Sequence, residues 1–140
     1  CEALEERYRL PRPRTELGTR LIGIARAAAD VSDGLLADAG HIAAASRLAL
    51  HIERSKIPLS RAARRSLTIE PARWADVLGG GDDYELVIAV SPRRSRNLLD
   101  AARQARVKVT RIGHLADGRG VHLFVDGRNV AASRAGYTHF

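Results

Sequence analysis

The stretch at residues 28–38, Ala-Ala-Asp-Val-Ser-Asp-Gly-Leu-Leu-Ala-Asp, constrains the fold of this chain more than any other segment. A run of small residues ends in two carboxylates, Asp30 and Asp33, which flank Ser32. The apolar residues that follow recur at steps of three and four, and this spacing is typical of a helix that buries one face against a sheet. The pattern therefore predicts the end of a strand that feeds a helix N-terminus, with the helix ending near Arg47.

The predicted turn offers groups that suit phosphate and hard cations. The first turn of a helix leaves backbone N–H groups unpaired and carries the positive end of the helix dipole. Ser32 and Asp33 occupy capping positions, and Gly34 leaves room for close approach. Asp30 and Asp33 lie on either side of the turn, so both carboxylates could hold Mg²⁺ between the protein and a phosphate. The alternative, a capped helix with a solvated acid in the preceding loop, stays open from the residues alone.

Length and charge restrict the class of protein and of partner. With 140 residues and a formal net charge of +7, the chain has the size of one domain and favours anionic partners, among them nucleic acid, nucleotides and phosphorylated metabolites. The single cysteine excludes an internal disulfide, and no apolar run approaches the roughly 20 residues that cross a bilayer. We expect a soluble intracellular protein. Because the chain starts at Cys1 and contains no methionine, we also expect it to be a piece of a longer protein.

The remaining pattern mixes helices with strands. Pro11 and Pro13 favour an extended arm at residues 1–14, and a helix should follow over residues 15–27. Further helices are predicted at residues 59–67, 70–78 and 91–105, and strands at residues 48–57, 84–90, 107–115 and 121–125, the last ending in the turn Asp126-Gly127. This order predicts an α/β (α+β) domain in which a mixed sheet of four to five strands packs against helices.

A second distinctive segment is the triple glycine at residues 79–81, which Asp82 and Asp83 follow directly before a strand. Three glycines let the backbone pass very close to another group, whereas the plainer interpretation is a flexible connection between helix and strand. Acids at the mouth of a strand are where sites in sheet proteins are often built. From the spacing alone both interpretations stay open.

Other chemistries find no support in the sequence. The five histidines are scattered and lack the spacing of a zinc site. Asp38 and His41 share a helix face, where such a pair is usually a surface contact. No nucleophile elbow is present, and the glycine run is not followed by Lys-Ser or Lys-Thr, so it is no P-loop.

Three motifs together resemble the C-terminal half of the thiamine-monophosphate kinase family, which belongs to the aminoimidazole ribonucleotide synthetase superfamily. They are Asp-Val-Ser-Asp-Gly-Leu at residues 30–35, Gly-Gly-Asp-Asp-Tyr-Glu-Leu at residues 80–86 and Gly-Tyr-Thr-His-Phe at residues 136–140. The arm at residues 12–14 with Gly18 is also similar to the family's crossing from its first domain. The resemblance implies that residues 1–14 are a linker or entry arm and that residues 15–140 are the C-terminal domain of a two-domain kinase whose N-terminal ATP-binding domain is absent.

The resemblance also implies an activity and a set of site residues. The family phosphorylates thiamine monophosphate to thiamine diphosphate with ATP and Mg²⁺. Carried over position by position, Asp30 and Asp33 would be metal ligands, Ser32 an ATP contact, Asp82 a contact of the thiamine moiety, and Tyr137 a partner of one of its rings. The family usually has Glu at the position of Asp82. No catalytic side chain is implied, because a phosphate acceptor is already deprotonated near neutral pH.

From this resemblance we expect a cytoplasmic enzyme that forms a homodimer when full length, has no membrane partner, and is inactive as this piece alone. Two other interpretations are considered. One is a lobe of a related synthetase or amidotransferase such as formylglycinamidine synthase, which carries a similar first motif. The other is a basic nucleic-acid-binding module, which needs only the arginine-rich surface.

Overall fold

The computed structural model describes residues 14–80 and 85–130. Its helices are α1 (Thr15–Arg20), α2 (Leu35–Ser46), α3 (Arg61–Ile69), α4 (Trp74–Gly79) and α5 (Ser95–Gln104). Its strands are β1 (Ala27–Asp30), β2 (Ala49–Glu53), β3 (Leu86–Ala89), β4 (Gly113–Ala116), β5 (Val121–Val125) and β6 (Arg128–Val130). Short 3₁₀ turns lie at Arg54–Lys56, Pro71–Arg73 and Pro92–Arg94.

A mixed four-stranded sheet in the order β4-β2-β5-β6 confirms the predicted architecture. Strands β2 and β5 are parallel, whereas β4 and β6 pair antiparallel with them at the two edges. One apolar cluster joins α2 and α4 to this sheet. Its largest fully buried side chains are Leu36, Ile52, Leu78 and Leu123. Removing these side chains from water is the main contribution to the stability of this half of the chain.

Strands β1 and β3 form a separate antiparallel pair, in which Asp30 is the register partner of Leu86. A second apolar cluster packs α1 and α5 together, with partly buried residues of β3 against it. The two motif-bearing segments are therefore neighbours through a ladder of their own, outside the four-stranded sheet. Local periodicity carries no information on this division, because strand partners are chosen by long-range register.

Several boundaries differ from the sequence-based prediction. Helix α1 ends at Arg20, well before residue 27, because Gly23 adopts a φ of +76° and β1 begins at Ala27. Strand β4 starts at Gly113, later than predicted. Strand β6 was missed, although the turn that creates it was predicted: Asp126 and Gly127 both have positive φ values, 50° and 75°, as a tight hairpin turn requires.

Within the described ranges, no helix has both the length and the apolar character needed to span a membrane.

Candidate functional site

The turn after β1 lies beside Glu85, the residue that precedes β3. Asp30 is the last residue of β1, and the Val31 N–H donates to the Glu85 carbonyl oxygen at 2.8 Å, directly beyond the last register pair. Antiparallel pairing thus places the start of the first motif against the start of β3. Asp82 itself lies outside the described residues.

A close approach of Gly34 to Gly79 brings the turn against the glycine segment. A Cβ atom built on Gly34 would lie 2.8 Å from the Gly79 carbonyl carbon and 2.9 Å from its Cα, closer than real Cβ contacts allow. Gly34 also has φ +105° and ψ 151°, a conformation that only glycine adopts readily. The predicted room for close approach at Gly34 is therefore used by the protein's own backbone.

The helix cap differs from the prediction. Gly34 is the N-cap of α2, with no side chain to cap the helix, so the prediction that Ser32 and Asp33 occupy capping positions is wrong. The physical reason is that the backbone turns at Gly34, whose carbonyl oxygen accepts the first helical bond from the Asp38 N–H at 3.0 Å. Ser32 lies two residues and Asp33 one residue too early to serve as the cap.

Asp38 is a residue beside the candidate site whose place in the structure the sequence interpretation missed. It was predicted to make a surface contact with His41, but only 7% of it is exposed. Its Oδ2 atom accepts the backbone N–H groups of Ser32 at 2.9 Å and Asp33 at 3.0 Å. The sequence feature that could have indicated its burial is its position between Ala37 and Ala39, two small residues that are themselves buried.

The side chains of Asp30, Ser32 and Asp33 are exposed, so a ligand can reach this turn. In the described part of the chain, none of the three makes a side-chain hydrogen bond or ion pair. Carboxylate oxygens without a protein partner are suitable ligands for Mg²⁺, which proteins often hold through one or two carboxylates plus substrate phosphates. Over residues 14–80 and 85–130, however, no group of three or more Asp, Glu, His or Cys residues is placed to hold a metal. The donor chemistry of the two acids therefore suits part of a magnesium site, whose remaining ligands would have to come from outside these residues.

A bidentate ion pair ties the start of the described chain to the second motif. Arg14 Nε and Nη2 donate to the two carboxylate oxygens of Glu85 at 3.0 and 2.9 Å. This hydrogen bonding raises the pKa of Arg14 above its already high usual value. The pair spans 71 residues of sequence and fixes the entry to α1 beside the candidate site.

Three histidines that are scattered in the sequence come together on one face of the four-stranded sheet. His51 is the register partner of His114 on β4 and of His122 on β5, with ring centroids 5.0 and 5.1 Å apart. Burial is the main cause that lowers the pKa of His51, and electrostatic repulsion from the neighbouring His114 and His122 lowers it further. His122 Nε2 lies 3.1 Å from the Arg119 carbonyl oxygen, which can only accept, so this nitrogen carries the proton. The cluster belongs to the four-stranded sheet, whereas Asp30 ends β1 of the separate two-stranded pair.

Tyr137, predicted to contact a ring of the substrate, lies outside the described residues, as does residue 82. Of the predicted site residues, the structure brings Asp30, Ser32 and Asp33 together in one exposed turn. It places that turn against the helix end at Gly79.

Comparisons with known proteins agree with this geometry. The family model described as "AIR synthase related protein, C-terminal domain" matches residues 6–126. The chain is 43% identical over 140 residues to the thiamine-monophosphate kinase of Caulobacter vibrioides, an alignment that covers 98% of this chain and 40% of that protein. The chain thus spans well under half the length of this curated relative.

Solved structures give the same result. The crystal structure of thiamine-monophosphate kinase from Stenotrophomonas maltophilia matches with a TM-score of 0.74 and 47% identity, covering 86% of this chain and 37% of that one. The structure of AaThiL complexed with AMPPCP and TMP matches with a TM-score of 0.72 and 30% identity, covering 91% of this chain and 38% of that one.

Proposed function

We propose that this chain is the C-terminal part of a thiamine-monophosphate kinase. The premise is that the chain belongs to the AIR synthase related protein family, whose C-terminal domain it matches. The complete enzyme would transfer a phosphoryl group from ATP to thiamine monophosphate and form thiamine diphosphate. The relatives that carry this name, and the similar structure that holds AMPPCP and TMP, support the proposal.

One observation carries the proposal: the turn that bears Asp30, Ser32 and Asp33 packs directly against the glycine segment. The contact of Gly34 with Gly79 and the hydrogen bond from Val31 to Glu85 bring both motifs to one place. A kinase that must gather two phosphate-bearing molecules needs its metal-binding and acceptor-binding segments within reach of each other. If the two motifs lay on opposite sides of the domain, the proposal would fail.

The proposed roles follow from the chemistry of phosphoryl transfer. The acceptor is a phosphate oxygen that is already ionised, so the reaction needs no strong general base. The barrier lies in bringing two polyanions together, and Mg²⁺ supplies the charge neutralisation when it is bound. We assign its protein ligands to Asp30 and Asp33, whose carboxylates have no partner among the described residues. Ser32, exposed between them, would contact ATP.

The acceptor would be held by residues outside the described ranges. Asp82 directly follows the glycine segment and would contact the thiamine moiety. Tyr137 would lie against a ring of the substrate, where an aromatic face attracts a cationic thiazolium by about 1 kcal/mol. We further propose that an N-terminal domain supplies the rest of the ATP and metal site, that the full-length enzyme is a cytoplasmic homodimer, and that this piece alone does not turn over.

A direct assay tests the proposal. The full-length protein that carries this chain, given ATP, Mg²⁺ and thiamine monophosphate, should produce thiamine diphosphate, and the 140-residue chain alone should not. Consumption of ATP without thiamine diphosphate would favour a related synthetase. Absence of both, together with tight binding to nucleic acid that weakens steeply with salt, would favour the basic binding module.

A further inference from the structure

Asp38 is a buried acidic residue on a helix face of small residues. It lies on α2 between Ala37 and Ala39, and all three residues are buried. An ionised carboxylate is costly to remove from water unless hydrogen bonds compensate it. An alanine would fit such a position on a small-residue helix face, so packing alone does not account for an acid here.

Among the described residues, the hydrogen bonds that compensate the Asp38 carboxylate come from the turn that carries the candidate site. Asp38 Oδ2 accepts the N–H groups of Ser32 and Asp33 at 2.9 and 3.0 Å, and the Asp38 N–H donates to the Gly34 carbonyl oxygen at 3.0 Å. Hydrogen bonds to an ionised acceptor are about twice as strong as neutral ones. Three bonds from one residue thus fix the backbone of residues 32–34.

These bonds also determine which groups of the turn face outward. The backbone N–H groups of Ser32 and Asp33 are directed to Oδ2 of the buried acid, while their side chains are exposed. Gly34, the N-cap, has no side chain that could accept these two N–H groups. Without the Asp38 carboxylate, the two N–H groups would have to turn toward water, and the side chains on the same residues would move with them.

We infer that Asp38 is a positioning residue of the site: its carboxylate holds the Ser32–Asp33 backbone so that both side chains face the bound nucleotide and metal. This inference rests on the proposed function for the roles of Ser32 and Asp33, while its structural half stands on the hydrogen bonds themselves. Asp38 acts through Ser32 and Asp33, because its own carboxylate is buried and accepts hydrogen bonds from their backbone.

Amide hydrogen exchange on this chain tests the structural half. In D38A, exchange at the amides of Ser32 and Asp33 should become at least about tenfold faster, because each loses its acceptor while β1 keeps its ladder. D38N retains one acceptor oxygen without the charge and should give a smaller, equally local increase. The control is D100N, the same change at an exposed acid of α5, which should leave both amides unchanged. Wild-type exchange at both amides in D38A and D38N would overturn the inference.

A fold defect is distinguished from a local effect by the same measurement. Faster exchange spread evenly over β1, β2 and the turn in D38N would mean that Asp38 only stabilises the domain, and this result also overturns the inference. Should D38A fail to fold, D38N alone decides: a selective increase at residues 32 and 33 supports the positioning role, and unchanged exchange contradicts it.

Kinetics of the full-length enzyme test the functional half. D38A should lower kcat by about 10- to 100-fold, the usual effect of removing a group that orients a metal ligand. Because Asp38 acts through Ser32 and Asp33, the triple variant S32A/D33N/D38A should be no slower than the double variant S32A/D33N. Losses that multiply would contradict the inference. If the wild-type protein forms no thiamine diphosphate while the exchange result holds, the proposed function fails and the structural inference survives.

Discussion

A Cβ atom on Gly34 would lie 2.8 Å from the carbonyl carbon of Gly79, so the acidic turn and the first glycine of the triple-glycine segment meet through backbone atoms. Neither glycine has a side chain to keep the turn and the end of α4 apart. Any side chain at residue 34 would push the acidic turn away from the glycine segment. This contact is therefore the point at which fold and proposed site depend on each other.

Substituting Gly34 should destabilise the chain. G34A combines the backbone clash with a φ of +105°, and such a conformation costs a non-glycine residue on the order of 1–3 kcal/mol. The measurement is the free energy of unfolding in urea. The control is G18A: Gly18 lies within α1 with nothing within 4 Å of its Cβ position, so this variant should gain up to about 1 kcal/mol. Equal stability of G34A and wild type would contradict the close approach of Gly34 to Gly79.

Asp33 should matter more for turnover than for folding. In the full-length enzyme, D33N should lower kcat by at least about 100-fold, since a metal ligand contributes several kcal/mol to charge stabilisation. Its free energy of unfolding should change by no more than about 0.5 kcal/mol, because the side chain is exposed and makes no hydrogen bond within the described residues. D100N serves as the matched surface control in both assays. Parallel losses of activity and stability would reduce Asp33 to a structural residue.

The ion pair between Arg14 and Glu85 should stabilise the chain measurably. The side chains are only 29% and 38% exposed and the contact is bidentate, so R14K, which loses the planar fork, should cost about 0.5–1 kcal/mol in urea unfolding. The corresponding change in an open pair, R103K, should cost no more than about 0.3 kcal/mol, because Arg103 is 79% exposed. An R14K cost no greater than that of R103K would show that the bidentate geometry adds no stability.

The histidine cluster should make folding sensitive to acid. The pKa of His51 is lowered in the folded chain, so at pH values between this pKa and the unfolded pKa of about 6.5 the unfolded state binds more protons. Stability is therefore lost as the pH falls through about 6.5 and levels off below the folded pKa. Urea unfolding of wild type and H51T at a series of pH values measures this. H51T should lose less stability on acidification, and an identical pH profile would contradict the assignment.

Local chemistry determined much of this protein from the sequence. The periodicity after Gly34 predicted α2, which ends at Ser46 with Arg47 in the left-handed conformation that often closes a helix. The dipeptide Asp126-Gly127 predicted a hairpin turn because only a few residues tolerate its positive φ values. The mixed sheet and the family resemblance were confirmed as well. The roles of Asp30, Ser32 and Asp33 stay predictions.

Tertiary structure alone decided the contacts between distant segments. Strand register, which no local pattern encodes, separated β1 and β3 from the main sheet and aligned His51 with His114 and His122. Burial of Asp38, and hence the way the acidic turn is held, depended on helix α2 lying beneath that turn. A sequence specifies which residues favour a helix or a turn and which residues carry a charge. Which of them meet is set by long-range packing, because the free energy of those contacts exists only once the chain has folded.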